Sequence, residues 1–77
     1  MNIIKVKLTN VRDISILVAS ANKFEDEINA IHGKYVVNAK SIMGLLSLDL
    51  SNEIIISCNN DLVIKELANL LEDYIIS

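Results

Sequence analysis

The spacing of apolar side chains switches repeatedly between two periods, and this switching restricts the possible folds most. Over residues 2–8 apolar and polar side chains alternate, which predicts a half-buried strand. From Asp13 to about Phe24 the apolar residues recur every three or four positions, which predicts an amphipathic helix. The chain therefore begins with a strand followed by a helix, and it carries two glycines and no proline to interrupt such elements.

The rest of the sequence also predicts a succession of short strands and helices. Residues 27–32 and 34–39 are predicted to form two short strands around Gly33, and Ser41 opens a short helix to about Leu48. Residues 53–58 contain three consecutive isoleucines and predict a buried strand. The final helix carries an apolar stripe of Val63, Leu67, Leu70, Leu71 and Tyr74. The order βαββαβα predicts an α+β fold, with four mainly antiparallel strands covered on one face by three helices.

Length and composition limit the class of protein. Seventy-seven residues predict a single domain over residues 1–77, with an aliphatic core because 52% of residues are hydrophobic and only 4% aromatic. The lone Cys58 excludes an internal disulfide and favours a cytoplasmic location. Without an apolar run of about 18 residues or a signal-peptide pattern, no membrane span is expected. The net charge of −3 argues against direct nucleic-acid binding.

The string Asn38-Ala39-Lys40-Ser41-Ile42-Met43-Gly44-Leu45-Leu46-Ser47-Leu48 is the most specific motif of the chain. It resembles the regulatory-serine signature of the histidine-containing phosphocarrier protein (HPr) of the bacterial sugar phosphotransferase system, in its Gram-positive branch. The similarity extends over nearly the whole chain and is densest from residue 21 to residue 48. It implies an HPr-like open-faced β-sandwich.

The resemblance also implies functional residues and partners. The regulatory serine of the family corresponds to Ser41, and Ile42, Met43 and Leu46 correspond to the apolar patch that docks onto partner proteins. In the catabolite-repression branch a bifunctional kinase/phosphorylase modifies this serine, and the product binds a LacI-type transcription regulator. The implied protein is not an enzyme and needs no cofactor.

One part of the family pattern is absent. The family's first helix follows a Gly-x-His-x-Arg-Pro-Ala motif, and counting back from Lys23 places its phosphoacceptor histidine at Asn10. Arg12 corresponds to the arginine of that motif, which makes it a candidate for partner binding, and Asp13 stands at the proline. An asparagine amide has no basic nitrogen lone pair to attack a phosphoryl group. No catalytic residue is therefore expected.

The same residues also have plain structural interpretations. Ser41 and Asn10 are natural helix N-caps, Arg12 fits a solvated charge, and Asp13 suits the first turn of a helix. His32 flanks a hairpin turn, far in sequence from any second metal ligand, so no metal site is predicted. Cys58 fits a small buried side chain. The apolar residues after Ser41 could also belong to the core.

Four functional hypotheses remain open at this point. The leading one is a regulatory HPr-like protein acting through Ser41, and the second is a degenerate phosphocarrier that serves only as a structural or interaction module. A carrier that uses Asp13 as an acyl-phosphate nucleophile is the third. The loop before the first helix is shorter than in the family that the chain resembles, so a carboxylate there is poorly placed to replace an imidazole. A small-ligand-binding ferredoxin-like domain is the fourth, and the motif around Ser41 counts against it. Oligomeric state is not predicted.

Overall fold

A computed structural model describes residues 2–49 and 52–76 of the chain. Its strands are β1 (Ile3–Val6), β2 (Ile28–His32), β3 (Tyr35–Asn38) and β4 (Ile54–Cys58). The helices are α1 (Val11–Ala21), α2 (Ile42–Leu46) and α3 (Asp61–Leu70), and a short 3-10 turn spans Glu72–Tyr74. The predicted order βαββαβα is confirmed, with elements shorter by one or more residues than the sequence pattern suggested.

The four strands form one sheet in the order β1-β4-β2-β3, and all neighbouring strands are antiparallel. Side chains that point to one face are buried under the three helices, whereas those on the other face stay partly accessible. The α+β open-faced β-sandwich predicted from the sequence is therefore confirmed.

The core is aliphatic, as the composition predicted. Val6, Ile28, Ile54 and Ile56 project from the sheet onto the helices and are fully buried. The helices contribute Ile14, Leu17, Leu45 and Leu67, and Leu71 follows directly after α3; each is no more than 1% exposed. Burying such side chains is the main favourable term in the folding of so small a domain.

A polar side chain caps the first turn of each helix. The Asn10 side chain accepts a hydrogen bond from the Asp13 N–H of α1, and Asn60 accepts one from the Leu62 N–H of α3. The hydroxyl oxygen of Ser41 accepts one from the Gly44 N–H of α2. Each cap satisfies a backbone donor that has no partner within its helix, so these three residues set where the helices begin.

The hairpin between β2 and β3 has a two-residue loop. His32 pairs with Tyr35, and Gly33 has a φ of +59°, in the left-handed region that glycine enters without steric cost. Hairpins of this length favour turns whose first central residue has a positive φ. The predicted turn at Gly33 is therefore present and fixes the register of the two strands.

One predicted core position is wrong. The apolar stripe predicts that Leu70 is buried, but its side chain is 43% exposed, and Ile64 is buried instead with 5% exposure. The helix ends at Leu70, and the 3-10 turn that follows changes the direction of the chain. The buried side of α3 is centred on Ile64 and Leu67, so Leu70 falls at its margin.

None of the helices within the described residues has the length and the apolar character needed to cross a bilayer.

Candidate functional site

The N-terminus of α1 is the first candidate site, because the sequence placed Asn10, Arg12 and Asp13 there. Asn10 is the N-cap, with extended backbone angles (φ −155°, ψ 175°), and its Oδ1 lies 3.0 Å from the Asp13 nitrogen. The side chain of Asn10 is thus engaged as a hydrogen-bond acceptor by the helix that it caps. This agrees with the capping role considered for Asn10.

Asp13 completes a reciprocal cap. Its Oδ2 accepts hydrogen bonds from the Thr9 N–H and the Thr9 hydroxyl, both at 2.9 Å. In a capping box the side chain at the third helical position bonds back to the N-cap; here it bonds to the residue before the cap. Asp13 is only 8% exposed, so this carboxylate is part of the structure of the loop and is not a solvated charge.

The electrostatics follow from these contacts. The pKa of Asp13 is lowered, and the hydrogen bond from the Thr9 N–H is the largest cause. Burial raises this pKa, whereas hydrogen bonding with the Thr9 and Tyr74 hydroxyls lowers it further. The pKa of Tyr74 is raised, first by burial and then by the negative charge of Asp13. The loop before α1 therefore holds a buried anion next to an uncharged phenol.

Arg12 projects outward from the same turn. Its side chain is exposed, and its positive charge is near enough to Tyr74 to oppose slightly the rise in that pKa. Within the described residues the structure gives no hydrogen bond or ion pair between Arg12 and α2. Arg12 is thus available at the surface, but it is not joined to Ser41.

The start of α2 is the second candidate site. The Oγ of Ser41 lies 3.2 Å from the Gly44 nitrogen, and the serine is half-buried. A Cβ at Gly44 would come within 3.2 Å of the Val37 Cβ, so the glycine allows α2 to lie close to β3. At the other end the Ser47 hydroxyl donates to the Gly44 carbonyl at 2.6 Å.

The apolar residues that follow Ser41 face solvent. Met43 is 76% exposed, Leu46 47% and Ile42 39%, whereas Leu45 between them is fully buried. A five-residue helix can bury one side only, and Leu45 occupies it. We call Ile42, Met43 and Leu46 the α2 apolar patch.

Lys40 holds the approach to Ser41, a role that the sequence pattern did not suggest. Its Nζ donates to the Phe24 carbonyl at 2.6 Å, and its own carbonyl accepts from the Asn22 side chain at 3.4 Å. These bonds join the segment before α2 to the chain leaving α1. Lys40 belongs to the motif around Ser41. Its hydrogen-bond partners lie 16 and 18 residues away in sequence, so a local sequence pattern could not predict these contacts.

His32 and Cys58 lie away from both candidate sites. His32, the only histidine of the sequence, ends β2 opposite Tyr35 and is half-buried. Cys58 is 3% exposed with a free thiol, and its Sγ accepts a hydrogen bond from the Asn60 N–H at 3.5 Å. In residues 2–49 and 52–76, no three His, Cys, Asp or Glu side chains are grouped so that they could hold a metal ion.

Comparison with known proteins decides the family. A family model described as the PTS HPr component phosphorylation site matches residues 4–73. The chain belongs to the HPr family. Members of this family are phosphocarriers of the sugar phosphotransferase system and act as carriers rather than as catalysts.

Solved HPr structures have the same fold. HPr-C-His from Thermoanaerobacter tengcongensis is 32% identical with a TM-score of 0.77, and the match covers 95% of this chain and 93% of that one. The Mycoplasma phosphocarrier is 25% identical with a TM-score of 0.73, with 92% of both chains covered. A search of curated protein sequences gives no significant match.

A catabolite-repression protein is also similar. Crh of Bacillus subtilis, described as a domain-swapped dimer, is 27% identical with a TM-score of 0.69. The match covers 95% of this chain and 88% of Crh. The chain is thus similar both to phosphocarriers and to a regulatory relative, so the HPr fold alone does not choose between the two activities.

Proposed function

We propose that this chain is a single-domain regulatory HPr-like protein, which is phosphorylated on Ser41 and binds other proteins but does not carry phosphate on a histidine. The observation that carries the proposal is the arrangement at α2, where a half-buried serine hydroxyl directly precedes the three exposed residues of the α2 apolar patch. A charge added at Ser41 would change the surface on which a partner docks.

The first support comes from the start of α1. Neutral imidazole has a nitrogen lone pair that can attack phosphorus, whereas the amide of Asn10 offers only a carbonyl oxygen already used in capping. His32 pairs with Tyr35 in the hairpin and is not placed at a helix N-terminus. The proposal therefore assigns no catalytic residue and no enzymatic activity.

Asp13 adds a second argument against phosphate transfer at α1. Its carboxylate is held beside the cap by Thr9, and its lowered pKa keeps it ionised at neutral pH. A phosphoryl group at the Asn10 position would meet a like charge at short range, which is unfavourable where solvent is partly excluded. The same hydrogen bonds argue against Asp13 itself as a nucleophile.

The helix geometry is compatible with modification of Ser41. A phosphoserine carries about −1.5 to −2 charges at pH 7 and three acceptor oxygens. One such oxygen could replace the Ser41 hydroxyl as the acceptor for the Gly44 N–H, so the cap would persist. Modification should then alter the surface without unfolding α2.

The proposed partners rest on similarity to the HPr family. The proposed modifying enzyme is the serine kinase/phosphorylase of the system, and the proposed target is a LacI-type transcription regulator in the cytoplasm. Ile42, Met43 and Leu46 would supply the apolar contact, and the exposed Arg12 would supply a charge for acidic groups of a partner.

Phosphorylation of the intact protein with ATP and an HPr serine kinase tests the proposal. We expect one phosphate, located at Ser41 by mass mapping and absent from a Ser41→Ala variant. Ser47→Ala is the matched control, because Ser47 ends the same helix and its hydroxyl donates to the Gly44 carbonyl. An unmodified Ser41, under conditions that modify an authentic HPr, would reject regulation through this serine.

The second candidate is a degenerate phosphocarrier that acts only as an interaction module. The observation in its favour is the completed cap of Thr9, Asn10 and Asp13, which makes the start of α1 a structural element. In that case the α2 apolar patch would bind a partner equally well with Ser41→Ala, and no kinase treatment would change the affinity.

A further inference from the structure

One edge of the sheet is covered by another segment of the chain, and the other edge is not. The outer edge of β1 is covered by the C-terminal segment: Val6 forms a bridge with Ile75, the Lys7 N–H donates to the Tyr74 carbonyl at 2.8 Å, and the Ile76 N–H donates to the Lys5 carbonyl at 3.1 Å. β3 forms the other edge, and within the described residues no strand lies beyond it. Exposed edges are templates for pairing with another chain.

The hydrogen-bond pattern shows which backbone groups of β3 point outward. The Ala39 N–H donates to the Ile28 carbonyl at 2.9 Å, which makes this an inward-bonded pair of the ladder. Such pairs alternate in antiparallel sheets, so Val37 and Tyr35 also bond to β2, and Val36 and Asn38 direct their N–H and C=O groups away. The Asn38 carbonyl is already used by the Ser41 N–H at 3.0 Å.

Apolar side chains surround these outward groups. Tyr35 is 68% exposed and Val36 59% exposed, a high exposure for residues of a strand. On the open face of the sheet Val36 lies opposite Ile31, which in turn lies opposite Ile55. A strand added beside β3 would therefore continue an existing apolar row as well as the hydrogen-bond ladder.

Charge indicates what kind of strand would fit. The whole chain has a net charge of −3, but residues 28–48 contain no Asp or Glu, while Lys34 and Lys40 flank β3. A second copy of this chain, paired through its own β3, would bring no carboxylate of that strand to this edge, because residues 28–48 contain no Asp or Glu. An acidic segment would instead find an opposite charge in the exposed Lys34, whereas the Lys40 ammonium is already bonded to the Phe24 carbonyl.

We propose that the outer edge of β3 binds an extended segment of a partner protein, apolar in alternate positions and flanked by acidic residues, as an added antiparallel strand. Val36 bonds to the segment through both its N–H and its C=O, and the Asn38 N–H adds a third bond. Lys34 attracts the acidic flank. This surface is separate from Ser41 phosphorylation, so it does not depend on the function proposed above.

The test uses NMR spectroscopy of the intact protein with two capped hexapeptides, Glu-Val-Thr-Val-Thr-Glu and Lys-Val-Thr-Val-Thr-Lys. The Glu-flanked peptide should shift the amide signals of Val36 and Asn38 most strongly and slow their hydrogen exchange. The Val37 amide is already bonded to β2 and should change little. The Lys-flanked peptide should bind more weakly, and the difference should shrink as salt is added.

Two variants identify the binding edge. Val36→Pro removes the outward N–H without removing a bond to β2, and we expect a loss of about tenfold in affinity. Val36→Thr keeps the N–H and the branched side chain and is the matched control. If Val36→Pro unfolds, Lys34→Glu carries the test, because it should reverse the order of preference between the two peptides.

Three outcomes would overturn the proposal. The first is the absence of any change at Val36 and Asn38 with the Glu-flanked peptide in large excess. The second is equal binding of both peptides at low salt. The third is protection of the Val36 amide that rises with protein concentration alone, which would make a second copy the occupant.

Discussion

At the scale of single residues, Asp13 links three parts of the chain. Its carboxylate binds Thr9 in the loop after β1, its backbone N–H binds Asn10, and it interacts with Tyr74 near the C-terminus. A carboxylate near a helix N-terminus is favourable in any protein, but here it is also almost fully buried. The charged form is therefore the one that the folded protein requires.

This requirement predicts a pH dependence of stability. The folded pKa of Asp13 lies below its ordinary value of 3.8, so its stabilising contribution is present above that value and is lost as the pH falls through the folded pKa. Asp13→Asn should lower stability at pH 7 and should give a flatter decline below about pH 4. Urea unfolding at several pH values measures both effects. Parallel pH profiles for the two proteins would contradict this account.

A second prediction at this scale concerns phosphate transfer. The protein should remain unlabelled when it is incubated with labelled phosphoenolpyruvate and the first enzyme of the phosphotransferase system, because Asn10 has no nucleophilic nitrogen. Asn10→His should recover little labelling, since Asp13 still places a negative charge beside the new imidazole.

The double variant Asn10→His/Asp13→Asn tests whether the charge of Asp13 is the obstacle to phosphate transfer. Removing the carboxylate should raise labelling above that of Asn10→His alone if repulsion is the obstacle. Acid-labile label at one equivalent on the unmodified protein would show that the chain carries phosphate after all.

The sequence predicted part of this residue-level picture. Asn10 and Ser41 as caps follow from residue type and position, because capping is local. The contact between Asp13 and Tyr74 joins residues 61 positions apart and requires knowledge of the tertiary fold. The bond from Lys40 to the Phe24 carbonyl escaped prediction for the same reason.

At the scale of elements, α3 shows that only one side of a helix is buried. Leu67 is fully buried against the sheet, whereas Leu70, at the last helical position, is 43% exposed and lines an open pocket with Lys23, Phe24, Glu66 and Asn69. The helix-forming pattern is the same for both leucines. The side of the helix on which each lies distinguishes them, since Leu71, one residue beyond the helix, is buried as well.

The two leucines should therefore differ in their effect on stability. Leu67→Ala should reduce the free energy of unfolding by about 2–5 kcal/mol, because it leaves a cavity in the core. Leu70→Ala should reduce it by less than about 1 kcal/mol, since the side chain already contacts water. Denaturant unfolding of both variants provides the measurement. Equal losses would mean that α3 packs in a different orientation.

Element order and type were accessible to sequence analysis because the period of apolar residues differs between strand and helix. The ends of the helices and strands were harder to predict from the sequence. The pattern predicts that α1 reaches Lys23 or Phe24, yet the helix ends at Ala21. Ile16 and Val18, both partly buried against the core, continue the periodic signal. Nothing in the local sequence marks the exit except Asn22, whose side chain binds the Val18 carbonyl.

At the scale of the whole molecule, the C-terminal segment contributes to the sheet as well as to the core. Tyr74 and Ile75 pack against the buried cluster, and the backbone of residues 74–76 bonds to β1. A single bridge of this kind has no pattern in the sequence, and Ile75 carries no strand signal of its own. The covered β1 edge was consequently not predicted.

Removing residues 74–77 should expose that edge. We expect a loss of at least about 2 kcal/mol in the free energy of unfolding, because two partly buried side chains are deleted with their hydrogen bonds. The Lys7 amide, which donates to the Tyr74 carbonyl, should exchange with solvent much faster. Ile76→Thr keeps the backbone bonds and should change stability by less than about 0.5 kcal/mol. An unchanged Lys7 exchange rate in the shortened chain would disprove the pairing.

The position of β1 in the sheet has a consequence for synthesis on the ribosome. Its neighbours are β4 on one side and residues 74–76 on the other, and both are translated long after β1 itself. β2 and β3 can form their hairpin as soon as both have emerged, whereas β1 has no strand partner until β4 is available. A chain that stops before β4 therefore leaves the apolar residues of β1 without a strand partner, and exposed apolar strands of this kind bind chaperones or aggregate.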